Sequence, residues 1–205
     1  RGNRNNSQNI NNYEGSIVRV KFENNMIKKN PFNNDWLNEV YSIGHRNPQG
    51  LIIDKMTNKI WSHEHGPQGG DEINLIEAGG NYGWPKATHG EEYGGGKIGE
   101  ISIDGFIDPK WVWTPSIAPS GMALYNGNMF PELNNHLLIG ALRAQNIYAV
   151  KIDDEILISE KKILQDVYGR IRDIEVMDDG SIIFLTDEEK NGIYKGGLYK
   201  IYKPE

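Results

Sequence analysis

Gly121-Met-Ala-Leu-Tyr125, His136-Leu-Leu-Ile-Gly140 and Asn146-Ile-Tyr-Ala-Val-Lys151 are three short apolar runs separated by polar turn residues. Runs of this length, rich in β-branched and aromatic side chains, read as strands. The same unit recurs toward the C-terminus. There Asp173-Ile-Glu-Val176, the tight-turn signal Asp178-Asp-Gly180, Ser181-Ile-Ile-Phe-Leu185 and Gly197-Leu-Tyr-Lys-Ile-Tyr202 follow one another. Toward the N-terminus, Leu51-Ile-Ile-Asp54, a turn at Thr57-Asn-Lys59 and Ile60-Trp-Ser62 predict a hairpin. Glu72-Ile-Asn-Leu-Ile-Glu77 is the next strand. Ile17-Val-Arg-Val-Lys-Phe22 alternates and reads as a leading strand, and the stretch from Asn34 to Tyr41 is expected to make a short helical turn. No long helix is signalled. Repeated units of three or four strands predict an all-β chain built from β-propeller blades. The anchors Gly50, Gly121 and Arg172 are unevenly spaced, and the longer interval holds an insertion over 86–110.

Three such units and one strand do not close a ring, because propellers have ~4–8 blades and an open one leaves strand edges exposed. The expectation is that another chain, or residues before Arg1, completes the fold. The chain begins with Arg rather than Met, which predicts a processed or truncated N-terminus. Residues 1–12 are polar and Asn-rich and are expected to be a disordered or loop segment; residues 13–205 form the partial propeller domain.

Composition narrows the function. The 205 residues carry a net charge of −6 with both signs mixed, so no basic stripe marks a nucleic-acid partner. No apolar run approaches the ~20 residues of a membrane span. The 24 glycines suit turn-rich β structure, and the absence of cysteine excludes disulfides.

The chemistry-bearing residues sit in glycine-punctuated loops. His45-Arg-Asn-Pro-Gln-Gly-Leu51, Glu64-His-Gly-Pro-Gln-Gly-Gly-Asp-Glu-Ile-Asn74 and Gly79-Gly-Asn-Tyr-Gly-Trp-Pro85 bring a cation, carboxylates and bare backbone carbonyls within about forty residues. That mixture suits an anionic cofactor held with a hard metal. The Arg46 guanidinium offers planar paired donors, and Asn47 can donate to an oxygen; as ordinary loop residues they would simply set a turn before Pro48. Gly66-Pro67 can present carbonyl oxygens to Ca²⁺, or be a plain turn. Asp71 and Glu72 are adjacent and so point to opposite faces of a strand. Arg170 and Arg172 share a face, where two like charges are costly unless an anion lies between them. Surface pairing, for example with Asp166 or Asp173, is the ordinary alternative.

The ordered set Gly44-His-Arg-Asn-Pro-Gln-Gly-Leu51, Glu64-His-Gly-Pro67, Asp71-Glu-Ile-Asn-Leu75, Gly79-Gly-Asn-Tyr-Gly-Trp-Pro85 and Trp113-Thr-Pro-Ser-Ile-Ala-Pro-Ser-Gly121 resembles the soluble PQQ-dependent glucose and aldose-sugar (glucose/sorbosone) dehydrogenases. The resemblance runs over nearly the whole chain. It implies a six-bladed β-propeller, of which this chain supplies about three to four blades and lacks the N-terminal ones. It also implies pyrroloquinoline quinone (PQQ) and Ca²⁺ on the top face. By resemblance, Arg46, Asn47, Tyr93, Arg143, Arg170 and Arg172 contact the cofactor. The carbonyls of Gly66 and Pro67 hold the catalytic calcium, and the Glu72 side chain with the Tyr82 carbonyl holds a second, structural one, which Asp71 is placed to join.

The family's general-base histidine lies N-terminal to the His-Arg-Asn-Pro-Gln-Gly motif, and no histidine precedes His45 here. No catalytic residue is therefore assigned. His45 and His65 match scaffold positions, His63 and His89 read as ordinary polar loop residues, and His136 starts a strand. The implied activity is oxidation of an aldose at C1 to the lactone by hydride transfer to the quinone. This chain would hold PQQ and Ca²⁺, and would be inactive alone without the upstream base. The implied partners are an aldose sugar and an external electron acceptor, with a homodimer left open, and the implied location is periplasmic or extracellular. The alternative is a non-catalytic calcium-binding propeller that binds a glycan or protein. A calcium-dependent lactonase is disfavoured, because paired arginines surround an anion.

Overall fold

The computed structural model describes residues 3–20, 22–23, 26–27, 35–165, 167–190 and 193–204. It divides into two compact units, Arg1–Pro48 with Lys59–Ser116, and Gln49–Asn58 with Ile117–Glu205. Apart from two short 3₁₀ turns, the regular structure among the described residues is all β.

In the first unit, β1 (Ile17–Val18), β2 (Phe22–Glu23), β3 (Met26–Ile27) and β4 (Val40–Ile43) come first. The alternating run from Ile17 to Phe22 is thus not one strand. β1 pairs antiparallel with β4, while β2 pairs with β3. The short helical turn expected from Asn34 to Tyr41 does not form among its described residues, 35–41. They are turn and bend leading into β4, whose Val40, Ser42 and Ile43 are buried; burial of the alternate side chains overrides the weak local helical signal.

β5 (Pro48–Ile53) leaves the first unit and runs into the second. It ends at a turn where Asp54 accepts the Met56 N–H at 2.9 Å and the Thr57 hydroxyl at 2.5 Å, and Asn58 is left-handed at φ 59°. β6 (Ile60–Glu64) follows, so both strands expected around this turn form. β6, β7 (Asp71–Ile76) and β9 (Trp111–Trp113) run antiparallel in that order, and β8 (Gly80–Asn81) adds in parallel to β4. Trp61 and Ile73, both fully buried, anchor the apolar side of this sheet.

The N-terminal residues 3–12, expected to be disordered or a loop, contain a 3₁₀ turn over Arg4–Gln8. The buried Ser7 hydroxyl donates to the Trp84 carbonyl at 2.5 Å, and Gln8 Nε2 donates to the same oxygen at 2.8 Å. Two side-chain donors hold a segment too polar to be held by burial alone.

The second unit contains a four-stranded antiparallel meander of β10 (Pro119–Tyr125), β11 (His136–Ala141), β12 (Ile147–Asp153) and β13 (Ile156–Ile163). A three-stranded sheet of β14 (Arg170–Val176), β15 (Ile182–Lys190) and β16 (Ile193–Ile201) follows. All six residues of β11 are buried, as expected of a strand covered on both faces. Leu138, Ala149, Ile171, Ile174 and Phe184 share one apolar core between the two sheets. The sheets approach so closely at Gly121 that a Cβ there would lie 2.6 Å from Asp173 Cα. The Tyr125 hydroxyl ties the far end, donating to the Gly180 carbonyl at 2.8 Å.

Candidate functional site

In the first unit the site grows from the end of β4. The chain leaves Ile43 and turns the His45 ring inward, where it is 1% exposed and stacks on Tyr82 with centroids 4.5 Å apart. His45 Nε2 lies 2.8 Å from Ser42 Oγ, and Nδ1 lies 3.0 Å from Glu64 Oε1. Glu64 closes β6 and is itself buried. Its Oε2 accepts the backbone N–H groups of Arg46 at 2.5 Å and of Asn47 at 2.9 Å. Desolvation acts to raise the Glu64 carboxyl, but His45 and the two amides outweigh it and hold the group below the ordinary carboxylate range.

Arg46, thus fixed at its backbone, sends its guanidinium 5.5 Å from the Trp84 ring. Nη1 donates to the His65 carbonyl at 2.8 Å, and Nη2 reaches the Tyr93 hydroxyl at 3.4 Å. Tyr93 is exposed, as is Asn47. The next turn is braced by Asp71, which is fully buried and whose Oδ1 accepts the Gly66 N–H at 2.9 Å. Asp71 Oδ2 accepts the Ser116 hydroxyl at 2.5 Å. Only glycine fits position 66, because a Cβ would lie 2.1 Å from the Gly69 carbonyl oxygen. Asp71 therefore reads as the local brace of the Gly66-Pro67 turn.

Glu72 points to the opposite side, as strand alternation requires, and sits directly across from Glu64 in the β6–β7 ladder. Asn74 lies beside both, with Nδ2 2.9 Å from Glu72 Oε1 and 3.4 Å from Glu64 Oε1. Its own Oδ1 is buried without a hydrogen-bond partner. Burial first, then the negative charge of Glu64, with smaller contributions from Asp71 and Asp108, push the Glu72 carboxyl up to about 8, against the hydrogen bond from Asn74. Arg46, Glu64, Gly66, Glu72, Tyr82 and Trp84 all line one small cavity of about 10 Å³, room for one water or one bare ion. The Tyr82 phenol, raised by burial, donates to the Leu75 carbonyl at 2.6 Å.

Four of the residues singled out in the sequence, Arg46, Gly66, Glu72 and Tyr82, thus share one cavity. Its two carboxylates, Glu64 and Glu72, fit a hard cation, and the Asn74 side chain that bonds Glu72 has a buried oxygen without a donor. Among the described residues no group of three or more His, Asp and Glu side chains is placed to hold a metal, so a cation here would need backbone carbonyls as well. The guanidinium on the same wall fits an anionic ligand.

The other arginines singled out in the sequence lie in the second unit. Arg143 follows β11 and is exposed, with its N–H donating to the Ile117 carbonyl at 3.1 Å. Arg170 stands across from Asp187 on β15, and a register shift follows Ile171. Arg170 Nε lies 3.6 Å from Asp187 Oδ1, and Arg172 Nη2 pairs with Asp187 Oδ2. The anion between these two cations is therefore Asp187 rather than Asp173; Asp166 lies outside the described residues. Asp187 is ten residues beyond Met177 in sequence, and only strand register reveals it. His63, read as a loop residue, is fully buried in β6. Ser42, Glu64 and Asn74 gave no functional signal of their own in the sequence.

The Glucose / Sorbosone dehydrogenase family profile matches residues 1–195. The chain is 38% identical over 195 residues to the aldose sugar dehydrogenase YliI of Escherichia coli (strain K12), covering 92% of this chain and 52% of that one. A crystal structure of a glucose dehydrogenase matches 99% of this chain and 59% of its own, with a TM-score of 0.89 and 35% identity. The PQQ-bound aldose sugar dehydrogenase of Streptomyces coelicolor matches 97% of this chain and 56% of its own, with a TM-score of 0.71 and 28% identity. The chain spans about half the length of the curated relatives it matches.

Proposed function

Because the chain belongs to the glucose/sorbosone dehydrogenase family, whose fold is a β-propeller, we propose that it carries the PQQ- and calcium-holding part of an enzyme that oxidises an aldose sugar at C1 to the lactone. The observation that supports this best is the shared cavity. A fixed guanidinium stands on the same wall as two facing carboxylates and a glycine turn.

When bound, PQQ supplies the two-electron acceptor for the hydride of sugar C1, and Ca²⁺ supplies Lewis acidity beside it. The protein's part is binding and orientation. Arg46 and Asn47, with Arg143, Arg170 and Arg172, offer the donors for a multiply charged anion. The carbonyls of Gly66 and Pro67 are assigned to one calcium; the Glu72 carboxylate and the Tyr82 carbonyl are assigned to a second. Asp71 keeps the Gly66-Pro67 turn in shape. Tyr93 would cover the cofactor from a glycine-rich loop. None of the chain's five histidines is assigned the proton-taking role, since His45 and His63 are buried and His45 is committed to Ser42 and Glu64. The enzyme would work outside the cytoplasm and hand its electrons to an external acceptor. Among the described residues no helix is long and apolar enough to cross a membrane.

Titration of the metal-free protein with PQQ and Ca²⁺ tests the proposal. Saturable PQQ uptake that Arg46→Ala weakens supports it. Calcium binding without PQQ uptake would replace it with the non-catalytic calcium-binding propeller.

A further inference from the structure

Ser42, His45 and Glu64 stand in line, hydroxyl to imidazole to carboxylate, at 2.8 and 3.0 Å. That is the order of a hydrolytic triad, yet the surroundings give it a different task. Ser42 is 0% exposed, so no substrate reaches its hydroxyl. The far end of the line is also occupied. Glu64 Oε2 accepts two successive backbone N–H groups, those of Arg46 and Asn47.

We propose that Glu64 is a positioning residue, locked by the Ser42–His45 pair, which fixes the backbone from which Arg46 and Asn47 are presented to an anionic cofactor. The identity of that cofactor rests on the function proposed above; the clamp itself does not.

First, hydrogen bonds from amides to an ionised carboxylate are stronger than neutral ones, and two of them from adjacent residues hold both peptide planes. Second, the carboxylate is itself held in place. Oε1 takes His45 Nδ1–H, with Asn74 Nδ2 at 3.4 Å, and with that ring nitrogen protonated, Nε2 accepts from Ser42. His45 is fixed further by its stack on Tyr82. Third, the arrangement is costly for a purely structural device. A buried carboxylate stands directly opposite a second carboxyl group, Glu72, which can ionise only against the repulsion of Glu64. A neutral side chain could close the same turn without that repulsion. What the charge adds is rigidity in the loop that aims the Arg46 guanidinium.

The test uses Glu64→Gln, which keeps the shape and removes the charge, and Ser42→Ala, which removes only the hydroxyl holding His45. Amide hydrogen exchange is read residue by residue, and PQQ affinity is measured with Ca²⁺ present. Glu64→Gln is expected to speed exchange at the Arg46 and Asn47 amides about tenfold while β6 and β7 stay protected, and to weaken PQQ binding about tenfold. Ser42→Ala should act in the same direction by a smaller factor. Unchanged exchange at the two amides in both variants overturns the clamp, as does an equal rise across β6 and β7. Labelling of wild-type Ser42 by a fluorophosphonate would also overturn it, because the line would then be a nucleophile relay. If the wild-type protein takes up no PQQ, the proposed function fails, and the exchange measurement still decides whether the clamp exists.

Discussion

Replacing Glu72 by Gln should stabilise the cofactor-free protein at alkaline pH and do much less near pH 5. Glu72 faces Glu64 across the ladder, and burial with that charge lifts its carboxyl from its ordinary value of 4.5 to about 8. An acid raised on folding contributes stability below 4.5, and that contribution is lost as pH climbs toward 8, because the native state then binds the extra proton. At about 1.4 kcal/mol per pH unit, the cost of Glu72 grows by about 3 kcal/mol between pH 5 and pH 8. For a chain of this length that is roughly 6–12 °C in melting temperature. The substituted amide keeps an oxygen for Asn74 Nδ2 and carries no charge toward Glu64. Thermal unfolding with a chelator present should show the variant and the wild type close together at pH 5 and well separated at pH 8, the variant higher. Adding Ca²⁺ at pH 8 should raise the wild type and narrow the gap, since an ion between the two carboxylates offsets their repulsion. A gap that does not change with pH, or a variant that melts lower at pH 8, would refute the reasoning.

Three further outcomes follow from the same structure. Gly66→Ala forces a Cβ to 2.1 Å from the Gly69 carbonyl oxygen, so it should cost about 3 kcal/mol or more and impair calcium binding, read by unfolding and by metal titration. Replacing Arg170 and Arg172 together by Ala should abolish PQQ binding while leaving the fold intact, because both side chains are about half exposed; an unchanged titration would remove them from the site. Leu138→Ala, in the fully buried β11, should cost about 2–5 kcal/mol in denaturant unfolding without altering calcium affinity.

The sequence made the sheets of the second unit readable because their apolar runs end at unambiguous turns, such as Asp178-Asp-Gly180. It hid β13, whose eight residues include Leu157 as the one fully buried side chain; an edge strand with charged residues outward has no apolar pattern to detect. It hid β9 as well, since three residues carry no periodicity and their extended form is set by pairing with Asp71–Ile73. The order in residues 3–12 depends on bonds from Ser7 and Gln8 to Trp84, more than seventy residues away. At the site, Arg46, Gly66, Glu72 and Tyr82 were readable as chemistry in loops. Glu64 was not, because nothing local says that a strand-end carboxylate will meet two distant amides. The pairing of Asp187 with Arg170 and Arg172 likewise follows from strand register alone.

Central to the proposed function is that Arg46 and Arg172 each contact a quinone cofactor held together with calcium. Equilibrium titration of metal-free protein with PQQ, with and without Ca²⁺, tests it most directly when wild type is compared with the Arg46→Ala and Arg172→Ala single variants. The expected result is saturable, calcium-dependent uptake by the wild type and a loss of affinity of about tenfold or more in each variant. Uptake that either arginine can lose without effect, or no uptake at all, would contradict it.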